Sequence, residues 1–288
     1  MDAHASYAVF TARADDPPAA LLKDAGVPAL DPAAWTLAAR PVAGDEPLLE
    51  ILRTLAFERE PPIAKRAYPT PHLYRQAITV EVARGDSLYP DAVAFATGAV
   101  SALAQWADGP VLDLTAERIW TAREWAKRFG RPGRPKPFDA RAHVSVHSSW
   151  SADGATATLH THGMAKFAHR ELVALDVPDA GTRAAGQLLG HLVAVRATTL
   201  EPLEPGHTFD PGFGQPMVAF VPLDADHPVV GHLGAAPSVV VDYDVERDEA
   251  VDGLFTLLTA AKALDRPAPA ERRRRPMAAF RPEQEPAS

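Results

Sequence analysis

Two runs of alternating polar and apolar residues constrain the fold of this chain more than any other feature of its sequence. Residues 143–150 read HVSVHSSW and residues 155–167 read ATATLHTHGMAKF, on either side of an Asp-Gly pair. Alternation with a period of two is typical of β-strands, and Asp-Gly is typical of a tight type I′ turn. The sequence therefore predicts a β-hairpin, in which His147 pairs with His160 and Ser145 pairs with His162.

This register predicts one polar and one apolar face, because a slip of one residue would bring polar and apolar side chains together. The predicted polar face carries four histidines and a lysine: His143, His147, His160, His162 and Lys166. The predicted apolar face, which we expect to form part of the core, carries Val144, Val146, Trp150, Leu159 and Phe167.

Three of the histidines form a candidate metal site. Opposed and diagonal residues of a hairpin lie about 5 to 7 Å apart, so His147, His160 and His162 could bind one zinc ion. Three imidazoles leave a coordination position for water, as in hydrolytic zinc enzymes. His143 lies about 13 Å from His147 along the strand, which makes it a candidate proton shuttle or binding residue rather than a ligand.

The same pattern also fits an ordinary solvent-exposed face, and the sequence favours that interpretation. Ser145, Ser149 and Thr158 share the face, Lys166 would repel a cation, and no carboxylate lies nearby in the sequence. A polar pocket for a small anion, or a partner surface, is a third interpretation. The expectation is therefore no cofactor, with zinc as the alternative.

The remaining pattern predicts an α+β fold. We expect an antiparallel or mixed sheet with the long helices 90–106 and 180–197 packed on one face. The order strand, turn, helix occurs twice, which suggests that one domain, 1–265, contains two duplicated modules, 1–135 and 138–265. We expect the basic, proline-rich residues 131–137 to connect the two modules. Residues 266–288 are predicted to be a disordered tail. The other predicted strands are 6–13, 77–83, 111–114, 171–177, 217–223 and 238–243, and the other predicted helices are 46–58, 115–129 and 248–261.

Composition narrows the class of function. The 288 residues carry a net charge of −8 and no cysteine, which disfavours nucleic acid as a partner and excludes thiolate ligands and disulfides. No segment resembles a signal peptide or a membrane span, so the sequence predicts a cytoplasmic protein without a membrane partner. Its oligomeric state is left open.

The absence of familiar catalytic motifs favours a non-catalytic protein that binds or regulates another protein, with no catalytic residue assigned. Candidate binding residues are His143, His207 in the glycine-rich loop 204–216, and Met277 and Phe280, which follow the ERRRR run of the tail. The alternative is a metal-dependent hydrolase that uses the histidine hairpin.

Residues 161–178, THGMAKFAHRELVALDVP, resemble a family of uncharacterised bacterial proteins with a T-x-G-M-x-x-F-x-x-x-E-L core. The likeness extends over roughly residues 75–210. It implies an intracellular, single-domain α+β bacterial protein, and it implies no catalytic residues.

Overall fold

The computed structural model describes residues 3–27, 29–42, 47–58, 73–84, 91–179, 182–197, 208–209, 218–222 and 239–242. These residues form two compact units. Unit 1 contains the described residues up to Ser145 together with Ala165–Ala168, and unit 2 contains Val146–Met164 and the described residues from His169 onward. Unit 1 is therefore assembled from two separate stretches of the chain.

Unit 1 is built on an antiparallel sheet of five strands. The strands are β1 (Ala3–Thr11), β2 (Trp35–Pro41), β3 (Gln76–Arg84), β4 (Val111–Asp113) and β5 (Arg118–Trp120). Their order in the sheet is β2-β3-β1-β4-β5. The central strand β1 alternates between two apolar clusters, because Tyr7 and Val9 belong to one cluster while Ala8 and Phe10 belong to the other.

Helices cover both faces of this sheet. They are α1 (Leu21–Asp24), α2 (Pro47–Glu58), α3 (Asp91–Ala107) and α4 (Ala122–Phe129). Helix α3 buries a stripe that includes Ala96, Val100 and Leu103 in the cluster with Tyr7 and Val9. Helix α2 buries Leu49 and Leu52 in the opposite cluster. The side chains from Tyr7 to Phe10 thus lie in apolar environments on alternate faces, which explains why this part of β1 is buried on both faces.

The predicted helix 115–129 is wrong in its first half. Residues Arg118–Trp120 instead form β5, which pairs with β4 through Val111↔Trp120 and Leu112↔Ile119. Helix α4 begins only after Thr121, whose hydroxyl accepts a hydrogen bond from the Glu124 backbone N–H in a capping box. Trp120 and Trp125 consequently lie on different elements, and both are buried, with ring centroids 6.5 Å apart.

The basic, proline-rich segment that follows was predicted to cross between two halves. It forms a short hairpin of unit 1, with β6 (Gly130–Arg131) paired to β7 (Arg134–Pro135). A 3₁₀ turn, Ala140–Ala142, follows, and the first of the two chain segments that form unit 1 ends at Ser145.

Unit 2 is built on a mixed sheet of six strands. They are β8 (Ser145–Trp150), β9 (Thr156–His162), β10 (Leu172–Pro178), β11 (Thr208–Phe209), β12 (Val218–Pro222) and β13 (Val239–Asp242). Their order is β11-β12-β13-β10-β9-β8, and only the β10–β13 pair is parallel among the pairings described. Helix α5 (Thr182–Arg196) packs on β9 and β10.

The α+β class predicted from the sequence is confirmed. The two long predicted helices are confirmed as α3 and α5, but they lie on separate sheets rather than on one. None of the helices in the described part of the chain is long and apolar enough to cross a membrane. The predicted helix 248–261 and the predicted tail 266–288 lie outside the described residues.

Candidate metal site

The predicted hairpin register is confirmed, although the turn is of another kind. The backbone N–H of Ser151 donates to the Thr156 carbonyl at 2.9 Å, and that of Gly154 donates to the Ser151 carbonyl at 2.9 Å. Only Gly154 has a positive φ, +67°, so the connection is a four-residue loop, 152–155, rather than the two-residue type I′ turn. Both loops are centred on Asp153-Gly154 and therefore give the same pairing.

Because the register holds, three imidazoles converge on one face of the hairpin. The centroid of the His147 ring lies 5.8 Å from that of His160 and 4.7 Å from that of His162, and the His160 and His162 centroids are 4.9 Å apart. Two of these rings come from β9 and one comes from β8. We call these three residues the histidine cluster.

The prediction of a solvent-exposed face is wrong for β9. His160 and His162 are 5% and 8% exposed, and His147 is half-buried. The predicted core face is also wrong for β8, because Val146 is 39% exposed and Trp150 is 48% exposed. Burial of an imidazole disfavours its cationic form, and neutral imidazole is the form that binds metals.

On the other face of β9 the predicted apolar packing is found. Ala157 and Leu159 are buried, and Leu159 lies against Gly186 of α5, where an added Cβ would approach its Cδ2 to 3.9 Å. Strand β9 is therefore held in three places: α5 packs on one face, and β8 and β10 are hydrogen-bonded to its two edges. This rigid position gives the two β9 histidines a fixed spacing.

A nitrogen of His147 and a nitrogen of His162 are close enough to share an ion after small rotations of the two rings. A ring nitrogen of His147 and one of His162 lie within 4.8 Å of each other, while two ligands of a tetrahedral zinc ion with Zn–N bonds near 2.0 Å lie roughly 3.3 Å apart. The planes of His147 and His160 are nearly parallel, 22° apart, so His160 must turn about its side-chain torsions to direct a nitrogen at the same point.

His143 does not belong to the polar face of the hairpin. It ends the 3₁₀ turn Ala140–Ala142, before β8 begins, and its ring stacks on Phe138 with centroids 5.3 Å apart. Burial holds the pKa of His143 well below its ordinary value, and the positive charges of Lys166 and Arg128 lower that pKa further. The predicted placement of His143 on the same face of the hairpin as the other three histidines is therefore wrong.

Lys166 does not lie on the histidine face either. Strand β9 ends at His162, and Lys166 lies in the turn Met164–Phe167, where its ammonium group contacts Asp113 at 2.5 Å and the His143 carbonyl at 2.8 Å. Both charged side chains are fully buried. The sequence predicted that Lys166 would repel a cation on the hairpin. The Asp113 carboxylate neutralises the Lys166 ammonium group, so this argument against a metal ion no longer applies.

A buried carboxylate that the sequence did not single out fixes the end of β9. Glu171 accepts hydrogen bonds from the backbone N–H groups of Gly163 and Met164, at 2.8 and 3.0 Å, and from the Thr161 hydroxyl at 2.7 Å. Two of those residues, Thr161 and Gly163, flank His162 in the chain. One sign in the sequence indicated that Glu171 could be buried: it is the E of the T-x-G-M-x-x-F-x-x-x-E-L core and directly precedes an apolar strand.

The other predicted binding residues, His207, Met277 and Phe280, lie outside the described residues. No family model, curated protein or solved structure matches this chain. The resemblance to an uncharacterised bacterial family therefore stays a prediction, and the argument for function depends on the geometry of the site.

Proposed function

We propose that the histidine cluster binds a transition-metal ion, with Zn²⁺ as the first candidate. The observation that carries this proposal is the convergence of His147, His160 and His162, with ring centroids 4.7 to 5.8 Å apart on two paired strands. The two paired strands hold the three rings in contact with one another, which is the arrangement that three imidazole ligands of one ion require.

The donor set selects the class of metal. Neutral imidazole suits Zn²⁺, Cu²⁺, Ni²⁺ and Co²⁺, whereas Mg²⁺ and Ca²⁺ require carboxylate and carbonyl oxygens. The chain has no cysteine, so thiolate sites that would compete for the same ions are absent from the sequence.

The reaction class that such a site serves is hydrolysis. Three protein ligands leave a fourth position for water, whose pKa a bound zinc ion lowers to about 7. His147 is the most accessible of the three ligands, since its side chain is only half-buried, so a substrate would approach the site from its side. We therefore propose a metal-dependent hydrolase as the activity of a metal-loaded protein.

Titration of the metal-free, full-length protein with ZnCl₂ in a calorimeter tests the proposal. We expect one equivalent of Zn²⁺ to bind, and we expect His162→Ala and His160→Ala each to weaken binding by at least about tenfold. His4→Ala is the matched control, because His4 is exposed on β1 of unit 1 and should leave the titration unchanged.

Cobalt provides a second measurement that depends on the ligands themselves. Co²⁺ bound by three nitrogens in a tetrahedral site gives strong visible absorption, which hexa-aqua Co²⁺ lacks. We expect this absorption in the unmodified protein and in His4→Ala but not in His162→Ala. Zinc binding that survives all three cluster substitutions, or the absence of any stoichiometric binding, would refute the proposal.

A second proposal is the protein-binding role that the sequence favours. Its support is β8, which is the last strand of its sheet among the described residues and which exposes Val146 and Trp150. Edge strands pair readily with another strand, and the occupant we propose is β8 of a second copy of this chain. Sedimentation across a hundredfold range of concentration should show a dimer that Trp150→Lys abolishes; a monomer throughout would contradict this role.

A further inference from the structure

Unit 1 contains a cavity that the histidine cluster does not use. Its volume is about 580 Å³, which lies within the range of pockets that bind small molecules. It lies between helices α3 and α4 and the β6–β7 hairpin, and every residue that lines it belongs to unit 1. It is therefore a different site from the one proposed above.

Three large aromatic side chains, Trp120, Phe129 and Phe138, form part of the cavity wall, beside small residues and prolines. Trp120 and Phe129 are buried with their rings 5.8 Å apart, and Phe138 stacks on His143 with ring planes only 9° apart. Phe138 is 41% exposed although its ring is stacked on His143. A flat apolar group inserted here would cover surface that water now contacts.

The charged residues that line the cavity are four cations, Lys127, Arg128, Arg131 and Lys136, and two carboxylates, Glu124 and Asp139, so its rim carries a net positive charge. Lys127 and Arg131 are exposed at its edge, and neither forms an ion pair with another residue of the described chain. Arg128 differs, because Asp139 contacts its guanidinium at 3.4 Å. Two uncompensated cations beside an apolar cavity are suited to an anionic ligand, and they would hold one end of it in place.

His143 supplies a further polar group in the wall. Its Nδ1 is buried and has no hydrogen-bond partner, an arrangement that folded proteins rarely keep. The ring stacks on Phe138, packs at 43° against Phe129, and belongs to the lining of the cavity. A ligand oxygen within reach would provide the missing partner.

We infer that this cavity binds a small organic anion with a planar apolar body, of the chemical class of an aromatic carboxylate. The aromatic walls hold the planar body, while Lys127 and Arg131 bind the carboxylate. His143 contributes the polar contact inside the cavity. This site functions independently of any metal on the histidine cluster.

The test uses the full-length protein and two probes of equal shape. Isothermal titration with 2-naphthoate should show one binding site, and the uncharged 2-naphthalenemethanol should bind at least about tenfold more weakly. The double substitution Lys127→Gln with Arg131→Gln should weaken naphthoate binding about tenfold and leave the alcohol unaffected. Arg123→Gln is the matched control, since Arg123 is an exposed residue of the same helix that does not line the cavity.

A second variant tests the apolar part of the site. Phe138→Ala should weaken both probes, by about fivefold, because it removes an aromatic wall without changing a charge. Unfolding curves of all variants establish that they are folded. The inference is overturned if naphthoate does not bind, if naphthoate and the alcohol bind equally well, or if the Lys127–Arg131 pair of substitutions has no larger effect than Arg123→Gln.

Discussion

Replacing Lys166 by methionine should reveal how strongly unit 1 depends on its buried ion pair. The Lys166 ammonium group lies 2.5 Å from an Asp113 carboxylate oxygen, and neither side chain has appreciable contact with solvent. Methionine is similar in length and removes the charge. The substitution therefore leaves the Asp113 carboxylate in the core without its counter-ion.

The expected cost is large for a single substitution. Removing one partner of a buried ion pair costs about 3–5 kcal/mol, because the remaining charge stays desolvated. Lys166→Met also removes the donor to the His143 carbonyl. A domain of this size is stable by roughly 5–15 kcal/mol, so a substantial part of the free energy of unfolding should be lost. Lys23→Met, at an exposed lysine of α1, should change that free energy by less than about 0.5 kcal/mol.

Urea unfolding followed by tryptophan fluorescence measures the effect, because the buried Trp120 and Trp125 report on unit 1. The loss should depend on pH. Burial raises the pKa of Asp113 above its ordinary value, and Lys166 opposes that rise, so the substitution should raise the pKa further. A raised carboxyl pKa means that the folded state holds more protons, so stability falls as the pH rises from about 4 toward the folded-state pKa. Lys166→Met should thus be less harmful at pH 4 than at pH 7.

The double variant Asp113→Asn with Lys166→Met decides between this explanation and simple loss of packing. An asparagine retains an oxygen that can accept from the Ala116 backbone N–H, as Asp113 does now, but carries no charge. It should restore a large part of the lost stability. If the double variant is no more stable than Lys166→Met, or if Lys166→Met unfolds like Lys23→Met, the buried charge is not the reason for the effect.

Three further predictions concern single sites. Thr121→Ala removes the cap of α4 and should lower the free energy of unfolding by about 1 kcal/mol in urea titrations, with Thr121→Ser close to the unmodified protein. Gly109→Ala places a Cβ 1.8 Å from the Phe10 carbonyl oxygen, and should cost at least about 1–3 kcal/mol; a smaller change in thermal unfolding would show that the backbone yields there. Glu171→Ala leaves two buried backbone N–H groups without an acceptor and should cost about 2–5 kcal/mol by circular dichroism, whereas Glu171→Gln should retain most of the stability.

The hairpin register could be predicted from the sequence because it depends on local information. A period of two and a central Asp-Gly pair allow one pairing that separates polar from apolar side chains, and both the predicted turn and the observed loop satisfy it. The pairing of His147 with His160 follows from that alone. The helices 47–58 and 91–107 were predictable for a similar reason, since their apolar residues recur at helical spacing.

Burial was not predictable from the same pattern. Alternation divides a strand into two faces, but it does not determine which face is covered, and in β8 the covered face is the polar one. The ion pair between Asp113 and Lys166 joins residues 53 positions apart, a separation at which sequence periodicity carries no information. The break at Glu117 was also missed, because its φ of +49° is a conformation that a glutamate gives no sign of adopting.

The chain leaves unit 1 at Ser145 and returns to it for only four residues, Ala165–Ala168. A fragment that stops at residue 145 would therefore keep Asp113 in its interior and lose Lys166, its counter-ion. Such a fragment should be fragile and most stable in acid, even though it contains all five strands of its sheet. Proteolytic cuts on both sides of Ala165–Ala168 would be expected to act in the same way, because they would remove the lysine that neutralises Asp113.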